Sequence, residues 1–242
     1  MNINDIFTIE HSNNGLQLTP LKELNNKKFE KLISDYDLDI DKFYKVEGKL
    51  YPYCYIDGSA LVEVYEMSNN GFEMFSMKDR ISQIVTAHKE CIKKKDFTRL
   101  FMIIDKPFRF EWYIKLFNEI PDNKKHKIFK SIYSTSEYGF NEINKEFIQE
   151  IFKNNVVDKD IFDGDEIITV YRGEASKSTP YNQAYSWTTD IEVAFWFADR
   201  FNSNGKVYIG KVKVDDILDC FQNNESEIIV FPENVFDIER FK

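Results

Sequence analysis

Glycine and proline are scarce here, nine and six in 242 residues, which excludes collagen-like, low-complexity and linker-dominated chains. Cysteine is scarcer still. Cys54, Cys91 and Cys220 are far apart and odd in number, so neither a zinc site nor a disulfide framework is expected, and they read as reduced, buried thiols. No apolar run approaches about 18 residues, so no transmembrane helix and no membrane partner are expected. Met1-Asn2-Ile3-Asn4-Asp5 lacks the basic and apolar regions of a secretory signal. A cytoplasmic chain is therefore expected, in which the sequon Asn224-Glu225-Ser226 is incidental. Positive charge is also short: 32 basic against 41 acidic residues give a net charge of -9. That balance opposes non-specific binding to nucleic acid or anionic lipid, while leaving room for a local basic face. A glycine-rich phosphate loop of the dinucleotide-fold type is missing, which disfavours hydride transfer.

Apolar and aromatic residues are plentiful, with 22 Phe and 13 Tyr, enough for a sizeable core. The pattern changes near residue 160. Residues 1–160 read as a mainly helical region that packs on the rest. Phe29, Leu32, Ile33 and Tyr36 form one helical stripe, and Ile81, Ile84, Val85, His88 and Ile92 another. Pro107 opens a helix running through Trp112 and Phe117, and further helices are expected at 123–133 and 144–153. Residues 50–75 read as two or three short strands with a turn at Asn70-Gly71.

Residues 161–242 read as strand (167–172), strand (185–188), helix (190–201) and strand (207–214). A turn or short helix over 215–220 comes next, then strands near 226–231 and 235–241. Thr189 followed by Glu192 is a capping-box pattern that starts the helix. Without crossover helices between most neighbours, the expected class is α+β with a mixed, mainly antiparallel sheet.

Three segments of this second part carry chemistry. Arg172 closes an apolar strand and is followed by Gly173. A planar guanidinium suits phosphate or ribose oxygens, and glycine lets a flat ring approach the backbone. Ser186-Trp187-Thr188 puts two hydroxyls on a strand that runs into the helix. Glu225 and Glu227 alternate on an apolar strand and so project to one side. Adjacent like charges are unfavourable unless a cation or a task requires them, and an oxocarbenium-like transition state is such a requirement.

In that order the segments resemble the R-S-E signature of the ADP-ribosyltransferase family, in the branch of bacterial mono-ADP-ribosylating toxins and vertebrate arginine-specific ectoenzymes. The likeness spans roughly residues 165–240. It implies an ADP-ribosyltransferase core at 161–242, with NAD as substrate and no metal. Arg172 would contact NAD phosphate and ribose, and the Gly173 backbone the nicotinamide amide. Ser186 would position the ribose and hold Glu227, with Thr188 standing where the family has a serine. Glu227 would stabilise the oxocarbenium, Glu225 would orient or deprotonate the acceptor, and Phe221 would contact the target. The implied function is mono-ADP-ribosylation of a macromolecule, protein arginine favoured and an RNA or DNA base the alternative, in a toxin or phage–host effector with an antitoxin as the corresponding partner.

Blander readings stand beside it. Arg172 could pair with Glu174 or Asp190, and the glutamates could be a solvated strand edge. An NAD glycohydrolase, or a non-enzymatic module keeping the fold, are the rival functions. The literal triplet Ser134-Thr135-Ser136 precedes Arg172 at a helix end, so its order and context set it aside. His88 reads as a core or boundary histidine, and the lysines at 93–95 as a solvated helix face.

Overall fold

The computed structural model describes residues 17–24, 27–47, 53–64, 71–135, 143–176, 178–200, 204–221 and 226–241. The chain divides into two compact units, residues 1–140 and 141–242. The boundary thus falls earlier than the expected residue 160, because the segment after residue 140 packs with the strands of the second unit. Lys145 pairs with Glu233, Asn155 donates to the Leu218 carbonyl at 2.7 Å, and Phe162 enters the apolar core of that unit.

The first unit is not helical alone. Strands β1 (Leu18–Pro20), β2 (Phe43–Val46), β3 (Tyr53–Asp57) and β4 (Ala60–Val64) form an antiparallel sheet in chain order. Helices α1 (Lys27–Asp35), α2 (Gly71–Lys93), α3 (Phe97–Ile103), α4 (Arg109–Leu116) and α5 (Asp122–Tyr133) are its α-helices among the described residues. Phe43, Val62 and Val64 of the sheet share a core with Ile33 of α1 and with Ile81 and Val85 of α2, the helical stripes expected from periodicity. The hairpin turn lies between Asp57 and Ala60, with Gly58 at φ +61°. Gly71 instead opens α2, and Asn70 lies outside the described residues. Phe108, Phe110, Tyr113 and Phe117 are buried, as core side chains and not as a stacking surface.

The second unit starts with α6 (Lys145–Phe152). Its strands are β5 (Ile167–Glu174), β6 (Ser186–Thr188), β7 (Lys206–Lys213), β8 (Ile217–Phe221), β9 (Glu227–Val230) and β10 (Val235–Arg240), with α7 (Ile191–Asp199) between β6 and β7. They form one sheet in the order β10-β7-β5-β6-β9-β8, with every pairing antiparallel. The class is α+β as expected, though both sheets are purely antiparallel. Only residues 214–216 make the expected turn; 217–221 are strand.

The two faces of this sheet differ. One carries an apolar core of Val170, Trp187, Tyr208, Val212, Ile228 and Val230. Over the other lies α7, whose buried Ala194 and Ala198 meet Val207 and Tyr171. A Cβ on Gly173 would fall 1.9 Å from the Ala194 carbonyl oxygen, and one on Gly205 2.2 Å from that of Ala198. Two glycines and two alanines therefore seat the helix backbone directly on β5. Among the described residues no helix is long and apolar enough to cross a membrane.

Candidate active site

Register decides which side chains share a face, because directly opposed residues of antiparallel strands point the same way and neighbours along a strand alternate. Thr188 of β6 stands opposite Tyr171 on β5 and opposite Glu227 on β9, and Ser186 stands opposite Ile229. Ser186, Thr188, Glu227, Tyr171 and Gly173 thus lie on the α7 side. Arg172 and Trp187 lie on the other. β9 is an interior strand, as its apolar sequence suggested.

The sequence-predicted pair is joined. Ser186 Oγ donates to Glu227 Oε1 at 2.5 Å, reaching diagonally from β6 to β9. Both residues are half-buried, so the carboxylate is oriented and still accessible. A hydrogen bond to an ionised oxygen is stronger than a neutral one and fixes which lone pairs remain for another partner.

Arg172, expected at NAD phosphate and ribose, has main-chain partners. Its Nη1 donates to the Ser186 carbonyl at 2.6 Å and its Nη2 to the Thr179 carbonyl at 2.9 Å. Both terminal nitrogens are thus bonded to main chain from the face opposite Glu227. The guanidinium braces β6 from behind and ties down the connection to it. Two further bonds hold that connection: the Tyr181 amide donates to Glu174 Oε2 at 3.0 Å, and the Ala175 amide to Ser178 Oγ at 3.0 Å. Tyr181 then lies over Tyr208, ring centroids 4.2 Å apart.

Thr188, expected to stand where the family has a serine, has a partner in the next turn. It is 6% exposed, and its Oγ1 accepts from the Asp190 amide at 3.0 Å, so it brackets the turn from β6 into α7. The helix cap is Asp190, which accepts from the Glu192 amide, and not Thr189. The Thr189 amide donates instead to the Ser226 carbonyl at 3.2 Å, fastening the start of β9 to this turn.

The Gly173 position is explained by the close seat of α7, a packing reason that sequence alone did not reveal. Phe221 ends β8 opposite Glu227 at 2% exposure. Phe221, expected at the target contact, is a buried neighbour of Glu227. Glu225 lies outside the described residues; Ser226 has φ +44° and β9 begins at Glu227.

Sequence reasoning missed Asp219, a buried acid in β8 opposite Ile229. Its run, residues 215–220, reads as a turn or short helix. Trp196 is 60% exposed, whereas Trp187 is buried. In the first unit, Thr135 Oγ1, from the decoy triplet, accepts from Arg109 Nη1 at 2.7 Å. A cavity of 370 Å³ in that unit, lined by Gln83, Thr86, Glu90, Lys94 and Arg99 among others, contains none of the predicted site residues. No family model, curated protein or solved structure matches the chain.

Proposed function

We propose that the chain is a mono-ADP-ribosyltransferase that splits NAD at the nicotinamide–ribose bond and passes ADP-ribose to a macromolecular acceptor. The observation that carries this reading is the hydrogen bond from Ser186 Oγ to Glu227 Oε1 on an accessible face of the sheet. An oriented carboxylate beside a ribose serves the reaction directly. The C1–N bond breaks with its electron pair leaving on nicotinamide, which departs neutral, and the ribose becomes an oxocarbenium that a carboxylate stabilises. The acceptor nucleophile then bonds to C1 and gives up a proton. Glu227 supplies the charge, Ser186 orients it, and Arg172 supports Ser186 through its carbonyl.

The acidic pair of Glu225 and Glu227 favours the guanidinium of a protein arginine as acceptor. Wild-type protein should release nicotinamide from NAD and transfer label to a protein pool. Glu227→Gln should lower release by about a hundredfold or more with thermal unfolding unchanged. Absence of nicotinamide from wild type sinks the reading. Release without labelling of protein, RNA or DNA makes the chain a glycohydrolase.

A further inference from the structure

The cavity of 370 Å³ in the first unit runs along α2 and is lined also by Asp96 and Arg99 at the start of α3. Its volume is that of a small-ligand site. Ser82, Thr86 and Glu90 recur at every fourth residue and so share one face of α2 over about 12 Å, with Gln83 beside them. Among the described residues the side chains of Ser82, Gln83 and Thr86 make no hydrogen bond. Helical hydroxyls often bond back to the preceding turn, as Thr135 Oγ1 does to the Ser131 carbonyl at 2.8 Å. Those of Ser82 and Thr86 stay available to the cavity.

The charges of the lining divide differently. Lys94 Nζ donates to Glu90 Oε2 at 2.9 Å, and Asp96 Oδ1 accepts from the Arg99 amide at 3.2 Å. The Arg99 guanidinium is exposed and makes no hydrogen bond or ion pair with a described residue. Lysines at the end of α2 complement its dipole, but Arg99 stands in the first turn of α3, where the dipole disfavours a cation. Helix stability therefore does not account for it. Its surroundings are positive in a chain of net charge -9. The bond and charge of Lys94 hold the Glu90 carboxyl below its ordinary value, and Arg99 and Lys93 add to that effect.

We infer that this cavity binds a sugar phosphate, its phosphate on the Arg99 guanidinium and its hydroxyls along Ser82, Gln83 and Thr86. A guanidinium presents a planar fork of donors and no acceptor, which matches phosphate oxygens. Hydroxyls and a carboxamide both donate and accept, the same mixture that a polyhydroxylated body carries. Ala87 and Cys91 give the lining an apolar patch against which the C–H groups of a sugar can rest. A nucleobase takes an aromatic ring to stack on, and among the described residues the lining has none. None of these residues belongs to the Ser186–Glu227 site, so the inference stands apart from the function proposed for it.

The test is a titration of the full chain with glucose 6-phosphate, glucose and inorganic phosphate, followed by calorimetry and by amide NMR shifts. Glucose 6-phosphate should bind with a Kd of roughly 0.1–1 mM and move amides of residues 82–99. Glucose alone and inorganic phosphate alone should each bind at least about tenfold more weakly. Arg99→Gln should weaken glucose 6-phosphate about tenfold, and Arg99→Lys, which keeps charge but loses the fork, about threefold. Ser82→Ala combined with Thr86→Ala should weaken it about threefold to fivefold. These side chains are exposed, so unfolding temperature should stay within about 2 °C of wild type. Lys93→Gln, next to the lining but not part of it, is the control and should change Kd less than about twofold. No binding by wild type, or binding unchanged in Arg99→Gln, overturns the inference. Equal losses in Lys93→Gln and Arg99→Gln would mean diffuse attraction by the lysine-rich turn and overturn it as well. Inorganic phosphate binding as tightly as the sugar phosphate would leave an anion site only and defeat the sugar assignment.

Discussion

Each unit holds a serine hydroxyl against a titratable acceptor, and the two pairs differ mainly in access. In the first, Ser59 Oγ is 2.9 Å from His88 Nδ1, and both residues are 3% exposed. In the second, Ser186 Oγ donates to Glu227 Oε1 at 2.5 Å, and both are half-buried. By residue type alone the serine–histidine pair looks the more reactive, since a histidine beside a hydroxyl is the usual arrangement for an activated nucleophile. Its surroundings deny it that use. His88 also bonds the Ile103 backbone, so the ring joins the β3–β4 turn, α2 and the end of α3 as an internal tie. The comparison teaches that a hydroxyl–acceptor pair becomes a site only where the fold leaves its acceptor open to a ligand.

The largest effect should come from disturbing what keeps the open pair in place. In Gly173→Ala the new Cβ would meet backbone, 1.9 Å from the Ala194 oxygen and 2.6 Å from the Ala198 nitrogen. Backbone cannot rotate away, so α7 must lift from β5. The expected cost is about 3 kcal/mol, read as a fall in unfolding temperature accompanied by loss of nicotinamide release. Gly58→Ala is the counterpart beside the closed pair. There the nearest atom is Trp112 Cη2 at 4.0 Å, and the strain comes only from φ +61°, about 1–2 kcal/mol. Equal losses in the two variants would remove the argument for a close helix seat.

The next effect concerns the closed pair. Burial lowers the proton affinity of His88 below its ordinary value of 6.5, and the Ile103 backbone bond only partly opposes this. The folded state therefore resists a proton that the unfolded state accepts. The stability concerned is fully present above about pH 6.5 and is lost as the pH falls below it, toward the depressed folded value. His88→Gln keeps a donor and an acceptor but does not titrate. It should cost about 2 kcal/mol at neutral pH and flatten the fall in unfolding temperature between about pH 7.5 and about pH 5.5. Nicotinamide release at neutral pH should be unchanged. A variant retaining the full wild-type slope would show that another group carries it.

Legibility in the sequence followed the same division. In the second unit, short β-rich runs separated by turns gave the order of strands and helix nearly as observed, and the family resemblance put Ser186 beside Glu227. In the first, β1 and β2 have three and four residues, too short for alternation to register against charged neighbours. The hairpin turn was nevertheless signalled: Asp57-Gly58 is a strong turn dipeptide, as strong as Asn70-Gly71. Asp96, which caps α3 by accepting from the Arg99 amide at 3.2 Å, was a second usable sign. The part played by Arg172 was not legible. A guanidinium at a strand end suits phosphate and carbonyl oxygens equally, and only register shows that it sits behind Ser186. Asp219 was hidden for a related reason, since the face it shares with Glu227 is set by register across strands, with no trace along the chain.

The smallest effect separates the two units at single backbone positions. Each pair has a left-handed residue just before one of its members: Gly58 at φ +61° before Ser59, and Ser226 at φ +44° before Glu227. Glycine adopts that conformation without penalty, whereas serine gives up about 1–2 kcal/mol. Ser226→Gly relieves that strain but adds conformational freedom to the unfolded chain, worth about 0.4–1 kcal/mol in the opposite direction. The difference is a gain of about 0.5 kcal/mol, a rise of roughly 1–2 °C in unfolding temperature. The Thr189 amide bonds the Ser226 carbonyl, which glycine retains, so the start of β9 should stay fastened and turnover should hold. Ser226→Val should move both readings downward, because a β-branched side chain tolerates a left-handed backbone least. A loss of turnover in Ser226→Gly without a loss of stability would mean that strain at Ser226 helps to aim Glu227, and the open pair would then differ from the closed one in conformational energy as well as in access.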